Sequence, residues 1–283
     1  MKQEIINLYD EYTHKPLTRN EFLKRLAMLT GSTMAAMAIL PLIEVNQAHA
    51  AVTPAGDLFT ESISYPGVPQ QMQAYVARPK KQKKYPAIII IHENRGLNAH
   101  IEDVARRAAG KGFLAIAPNA LSALGALPAN DDEARSKFQQ LKAEDNLKNF
   151  MNAFDYLATR ADFDGNIGCV GFCWGGAMAN ELAVNVPSLK AAVAFYGRQP
   201  AAEKVPHIKA AIQLHYASLD ERVNAGIPAY EAALKQNKID YELFMYEGVN
   251  HAFHNDTSGA RYNEAAAKLA WERTMKFFKK KLD

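Results

Sequence analysis

The stretch Ile167-Gly168-Cys169-Val170-Gly171-Phe172-Cys173-Trp174-Gly175-Gly176 decides the fold. An apolar run ends at Gly171 and a small-residue, helix-forming run starts near Gly176. Between them stands G-x-nucleophile-x-G, with cysteine in the nucleophile position. A nucleophile on a tight strand-to-helix turn adopts strained backbone angles, and side chains at Gly171 or Gly175 would collide there. The turn lifts the Cys173 thiol above a sheet edge and aims it at a helix N-terminus, where backbone N–H groups favour a thiolate. The competing reading, a small buried hydrophobe, fits Cys169 instead, inside the strand. Four strand residues separate Cα atoms by roughly 13 Å, whereas a disulfide needs about 4.4–6.8 Å. Cys169 and Cys173 are therefore expected not to bridge.

Outward from this elbow, short apolar runs alternate with amphipathic ones. Strands are expected at Met72–Ala77, Ala87–Ile91, Phe113–Ala117, Ile167–Gly171, Ala191–Phe195, Ala211–His215 and Tyr241–Tyr246. Helices are expected at Ile101–Lys111, Asp132–Thr159, Gly176–Val184, Ile227–Asn237 and Gly259–Lys280. Ala87-Ile88-Ile89-Ile90-Ile91 is apolar on both faces, as a central parallel strand requires. The pattern predicts an α/β fold, a mostly parallel sheet with helices on both faces, with chemistry at the carboxyl ends of the strands. Lys80, Lys81, Lys83 and Lys84, between Pro79 and Pro86, read as a solvated loop.

A catalytic thiol needs a base and an orienting acid, and in α/β-hydrolases these follow the nucleophile in the order acid, histidine. Asp220 follows the strand Ala211–His215, with Glu221 as its rival. His251 follows Tyr241–Tyr246, with His254 as its rival. Asp220 would fix the imidazole tautomer and stabilise its charged form. His251 and His254 are three residues apart, but no third ligand stands at zinc-like spacing, so no metal is expected. His92 and His215, at strand ends, read as hydrogen-bonded structural groups or pocket wall. The loop His92-Glu93-Asn94-Arg95-Gly96 follows an early strand, where this fold places an oxyanion-hole amide. The backbone N–H groups of Asn94 and Trp174 are the expected donors. Glu93 reads either as a loop carboxylate paired with Arg95 or Arg106, or as a group pointing into the site beside the thiol.

The whole chain of 283 residues has 48% hydrophobic and 22% charged residues, an ordinary globular balance. With 33 Lys plus Arg against 30 Asp plus Glu, the net charge of +3 gives no reason to expect a nucleic-acid partner. Two cysteines exclude a disulfide scaffold and a four-cysteine zinc site.

The first fifty residues depart from the average. Arg19, Lys24 and Arg25 precede an uncharged run from Leu26 to Ile43, and Ala48-His49-Ala50 follows with small-x-small spacing. That order is the order of an export signal. Thr18-Arg19-Asn20-Glu21-Phe22-Leu23-Lys24 resembles a twin-arginine motif, with Asn20 in place of the second arginine. Gly31 and Pro41 make the run a poor permanent span. The expected organisation is an export signal over residues 1–50 and one hydrolase domain over residues 51–283. The expected location is the periplasm, the alternatives being the cytoplasm or a membrane anchored by an uncleaved N-terminus.

The quoted motifs resemble the dienelactone hydrolase family of α/β-hydrolases. His92-Glu93-Asn94-Arg95-Gly96, Gly171-Phe172-Cys173-Trp174-Gly175-Gly176, Asp220 and His251-Ala252-Phe253 carry the resemblance, which runs from about Thr60 to the C-terminus. It implies a Cys173–His251–Asp220 triad and hydrolysis of a small-molecule ester or lactone, with no metal or organic cofactor. It also implies that Glu93 holds the thiol in an inactive arrangement until substrate displaces it. Two departures bear on substrate. The family binds a substrate carboxylate with two arginines, one shortly after an Ala-Pro-Asp stretch and one four residues after the histidine. This chain has Ala117-Pro118-Asn119-Ala120-Leu121-Ser122-Ala123 and Asn255 there. A neutral ester or lactone is therefore expected, unless Arg198 or Arg95 compensates. The competing function is a non-catalytic binding or thiol-redox protein on a hydrolase scaffold.

Overall fold

In the computed structural model, residues 1–46, 50, 53–54 and 56–283 are described. The chain runs α1 (Gln3–His14), α2 (Arg19–Thr30), α3 (Thr33–Ile43), β1 (Leu58–Tyr65), β2 (Met72–Pro79), β3 (Tyr85–Ile91), α4 (Ala99–Ala109), β4 (Leu114–Asn119), α5 (Asp131–Phe138), α6 (Ala143–Ala158), β5 (Phe163–Phe172), α7 (Trp174–Asn185), β6 (Ala191–Phe195), β7 (Ala211–Ala217), the single turn α8 (Glu221–Asn224), α9 (Ile227–Gln236), β8 (Tyr241–Tyr246) and α10 (Glu264–Leu282).

The strands form one sheet in the order β1-β2-β4-β3-β5-β6-β7-β8. β1 and β2 run antiparallel, and the six strands from β4 to β8 are parallel. All seven predicted strands exist. β1 was not anticipated: as an edge strand it buries only its end residues, so little apolar pattern marks it. Residues 87–91 of β3 are wholly buried, because helices cover the sheet on both faces. The lysine run 80, 81, 83, 84 is exposed between β2 and β3, as expected.

The predicted helix Asp132–Thr159 is two helices. α6 buries Phe150, Ala153 and Leu157 against the sheet. Phe138, ending α5, instead turns its ring edge-on to Trp174 at 4.8 Å between centroids. One straight helix cannot serve both directions, so the chain breaks at Gln139–Lys142. The last helix starts at Glu264 rather than Gly259, where the Asn263 side chain accepts the Ala266 N–H as an N-cap.

Residues 1–46 fold into α1–α3 around a small core of Tyr9, Tyr12, Phe22, Leu26, Leu40 and Ile43. Thr18 and Glu21 make a capping box at the start of α2. The apolar run Leu26–Ile43 is divided at Gly31, whose left-handed φ of 86° ends α2. Among the described residues no single helix is long and apolar enough to cross a membrane, although α2 and α3 together, bent by 109°, have the composition. Residues 47–49, 51–52 and 55 lie outside the described residues, so most of the expected cleavage site does too.

α1 docks on the sheet domain at the carboxyl ends of the strands. Asn94 Nδ2 donates to the Thr13 carbonyl at 2.8 Å. Arg135 donates to the Tyr12 carbonyl at 2.6 Å and lies 3.8 Å over the Tyr12 ring. Arg261 lies 4.8 Å over the Tyr9 ring.

Candidate active site

β5 ends at Phe172 and α7 begins at Trp174, leaving Cys173 alone on the turn with φ 56° and ψ −113°. That is a strained conformation for an L-residue, held because both flanks are fixed. The Cys173 N–H donates to the Phe195 carbonyl on β6 at 3.0 Å. The glycines serve close packing as expected. A Cβ on Gly171 would sit 1.9 Å from the Gly175 carbonyl oxygen, and one on Gly175 would sit 2.3 Å from the Ile91 carbonyl oxygen. Gly171→Ala is accordingly expected to destabilise the protein by about 3 kcal/mol and lower the melting temperature by about 10 °C. Differential scanning calorimetry checks it; a change under about 2 °C contradicts the packing argument.

Asp220 follows β7 and caps α8, its Oδ1 accepting the Val223 N–H at 3.2 Å. Its Oδ2 accepts from His251 Nδ1 at 2.5 Å. Both residues are buried, at 5% and 4% exposure. Burial opposes ionisation of Asp220, but His251 outweighs it and holds the carboxyl below its ordinary range. Burial likewise opposes charge on His251, yet Cys173, Asp10 and Asp220 raise its basicity well above the usual value. Among the described residues His251 Nε2 is buried without a hydrogen-bond partner. Geometry thus separates His251 from His254, which is buried and stacked on Phe172 at 4.9 Å. It also separates Asp220 from the exposed Glu221.

Cys173 is buried at 8% exposure, and burial alone would raise its thiol. The imidazoles of His14 and His251 overcome burial and bring the thiol down to about 6. Cys169, buried inside β5 without such partners, is pushed up. Both cysteines are free.

His92 makes hydrogen bonds at both nitrogens, to the Glu93 carbonyl and from the Ala120 N–H, and stacks on Trp174. His215 is bonded to Tyr246, Gln213 and Thr274. Both are the structural groups anticipated. Neither backbone N–H of Asn94 or Trp174 takes part in a hydrogen bond among the described residues. Trp174 is the first residue of α7, where such amides are free to bind an anion.

Glu93 requires a correction. It is buried, but its carboxylate accepts from Asn255 Nδ2 at 2.6 Å and from the Tyr196 hydroxyl at 3.3 Å. The hydrogen bond at the thiol comes instead from His14, whose Nε2 lies 3.2 Å from Cys173 Sγ. Asn255, standing where the resemblance implies an arginine, is the neutral donor that holds Glu93 aside. Nothing in the sequence pointed to His14, because the leader reading removed its helix from the enzyme. The i, i+4 pair Asp10–His14 was the signal present, and it also reads as ordinary surface pairing.

The cavity beside Cys173 has a volume of about 350 Å³ and is walled by Phe138, Trp174 and Val223, with Arg135, Arg198 and Arg222 around it. Positive charge is thus supplied from positions other than the two the resemblance implies, Arg198 being one expected substitute. Arg95, the other, donates to the Tyr9 hydroxyl at 3.2 Å. Among the described residues one group has metal-ligand character. Single donor atoms of His14, Cys173 and His251 lie within 4.8 Å of one another.

A sheet of this order, with a strained cysteine turn at the end of a central strand and a hydrogen-bonded aspartate–histidine pair on later loops, has the α/β-hydrolase fold. The sequence profile of the dienelactone hydrolase family matches residues 72–282. A candidate carboxymethylenebutenolidase of Saccharolobus solfataricus is 31% identical over 258 residues, covering 78% of this chain and 98% of that protein. The crystal structure of a candidate dienelactone hydrolase from Klebsiella pneumoniae superposes with a TM-score of 0.72 at 27% identity, covering 78% of this chain and 98% of that one. A dienelactone hydrolase-like promiscuous phosphotriesterase from metagenomic libraries shares the fold, with a TM-score of 0.72 at 21% identity over 81% of this chain and all of that one. The chain belongs to the dienelactone hydrolase family and is an ester or lactone hydrolase.

Proposed function

We propose that this hydrolase works through a Cys173 thiolate, with His251 as general base and Asp220 as its orienting acid. The observation that carries the reading is the 2.5 Å bond from His251 Nδ1 to Asp220, which leaves Nε2 free near a thiol on a strained elbow. The thiolate attacks the acyl carbon and the tetrahedral oxyanion is held by the Asn94 and Trp174 amides. One such donor is typically worth about 2.7–4 kcal/mol of barrier. The leaving oxygen departs, a thioester remains, and His251 activates the water that releases the acid. The small cavity supports a compact ester or lactone as substrate.

The thiol-redox alternative has little support, since Cys169 is a buried strand residue with its thiol pushed up and no bridge is formed.

Full-length protein is expected to hydrolyse p-nitrophenyl acetate and to lose that activity on alkylation with iodoacetamide. A thiol lowered to about 6 is ionised above that pH. The alkylation rate should therefore be flat above pH 7 and fall about tenfold per unit well below pH 6. A midpoint near the ordinary thiol value of about 8.5 contradicts the reading.

Location is a separate proposal. The basic, apolar, small-residue order of residues 19–50 supports export, and Met28, Met34, Met37 and Leu42 on α2 and α3 are exposed apolar groups of the kind a membrane receives. Because α1 closes over the cavity, export with an uncleaved N-terminus fits the site better than cleavage after Ala50. N-terminal sequencing of protein recovered from the periplasm separates the two: a start near Met1 agrees, and a start at Ala51 contradicts.

A further inference from the structure

The thiol has two imidazoles, and the second comes from outside the family match. His14 ends α1, well before residue 72 where that match begins. Its Nε2 lies 3.2 Å from Cys173 Sγ. Its Nδ1 faces acceptors: the Asp10 carbonyl at 2.8 Å, Thr13 Oγ1 at 3.0 Å and the Asp10 carboxylate at 3.2 Å. The Thr13 hydroxyl gives its own proton to the Asp10 carbonyl, so it too presents a lone pair. These partners place the imidazole proton on Nδ1 and turn the Nε2 lone pair to the sulfur. Asp10–His14 thus repeats the relation of Asp220–His251 beside the same thiol, and the two rings meet edge-on at 4.8 Å. The sulfur is hydrogen-bonded to His14 at 3.2 Å, whereas His251 Nε2 makes no hydrogen bond of good geometry among the described residues, although its imidazole also lowers the thiol.

We propose that His14 is a catalytic residue: it takes the proton of the Cys173 thiol and delivers it to the leaving oxygen, leaving His251 to activate water. The proposal rests on Cys173 being the nucleophile. In the first half the Cys173 S–H bond breaks and its proton goes to His14 Nε2. The S–C bond forms, the acyl C–O bond breaks, and the leaving oxygen receives that proton as an alcohol. In the second half water gives a proton to His251 Nε2 and its oxygen bonds the acyl carbon. The S–C bond breaks, and the proton on His251 returns to sulfur. The sum is ester plus water giving acid plus alcohol.

The surroundings suit a cationic intermediate at His14. It ends a helix, where the dipole favours positive charge. Asp10 on its own helix and the thiolate of Cys173 face it, and both favour the imidazolium. Arg222, 3.5 Å from Asp10, and His251 oppose it, as do Arg135 and Arg198 across the cavity. Cys173 and Asp10 are within hydrogen-bond distance of the ring nitrogens, whereas His251 meets the ring only edge-on and the arginines make no ion pair or hydrogen bond with it, so the anions prevail. The docking of α1 through Asn94, Arg135 and Arg261 then has a catalytic purpose, holding this imidazole in place.

The test uses the full chain and three variants, His14→Gln, Asp10→Asn and Cys173→Ala. Each is followed by iodoacetamide alkylation and kcat/KM for p-nitrophenyl acetate from pH 4.5 to 9. Circular dichroism reports whether the helices remain. His14→Gln is expected to raise the alkylation midpoint by about one unit or more and to lower kcat/KM at pH 7 by about 10²-fold. Asp10→Asn keeps the imidazole and should shift both in the same direction by less. Wild-type midpoint and kcat/KM within twofold in both variants would overturn the role of His14, with the nucleophile still standing. Full activity in Cys173→Ala would overturn the nucleophile and the proposal with it. Wild-type activity abolished by EDTA and restored by Zn²⁺ would make His14 a metal ligand instead of a proton carrier, and so also overturn it.

Discussion

Cys173→Ala is expected to lower kcat/KM toward a p-nitrophenyl ester by about 10⁴-fold or more at pH 7. The size follows from the role. Without the thiolate no covalent intermediate forms, and what remains is water attack assisted by the oxyanion amides. The substitution should leave the fold intact. Alanine meets the same positive φ as cysteine does, and the Cys173 backbone stays bonded to Phe195 and Ala177. The missing sulfur borders a cavity, so no packed neighbour loses more than a few contacts. Steady-state rates measured beside a thermal melt separate the two effects. Loss of activity with a melting temperature within a few degrees of wild type agrees, and full activity contradicts.

Asp220→Asn should cost about as much, near 10⁴-fold in kcat, for a different reason. The carboxylate receives the His251 Nδ1 proton at 2.5 Å and so keeps the Nε2 lone pair toward the thiol. An asparagine amide can present an N–H there instead, which favours the opposite tautomer and removes the negative charge that supports the imidazolium. Asparagine is as good an N-cap as aspartate, so α8 keeps its bond to the Val223 N–H and the loop geometry survives. The activity loss should therefore appear without a comparable loss of stability. A stable Asp220→Asn protein with activity within tenfold of wild type would contradict the assignment and return Glu221 to consideration.

Much of this site could be read from residue order. The run 167–176 specifies its strand, its turn and its helix because local sterics admit little else: a Cβ at Gly171 or Gly175 meets backbone oxygen. Asp220 and His251 are legible as candidates because each follows a strand in a fold whose loop order is fixed, the wholly buried β7 and the half-buried edge strand β8. β1 escaped because an edge strand needs no apolar face. The break between α5 and α6 escaped because it answers to the cavity, where Phe138 meets Trp174, and no glycine or proline announces it. Glu93 is buried, with Asn255 and Tyr196 as partners that the sequence did not announce. The hydrogen bonds from Asn255 and Tyr196 depend on loops that sequence order does not bring together. His14 lies furthest from legibility. Its 159-residue separation from Cys173 is closed by the docking of α1 on Asn94, Arg135 and Arg261, which no local pattern in the sequence announces.

The central claim is that acyl transfer passes through the Cys173 sulfur. It is tested most directly by intact-protein and peptide mass spectrometry of the full chain, quenched in acid during turnover of a slowly deacylated p-nitrophenyl ester. The account predicts one added acyl group, carried by the peptide containing Cys173, labile to free thiol and missing in Cys173→Ala. An acyl group on a serine peptide, or turnover that survives complete alkylation of Cys173, would contradict it.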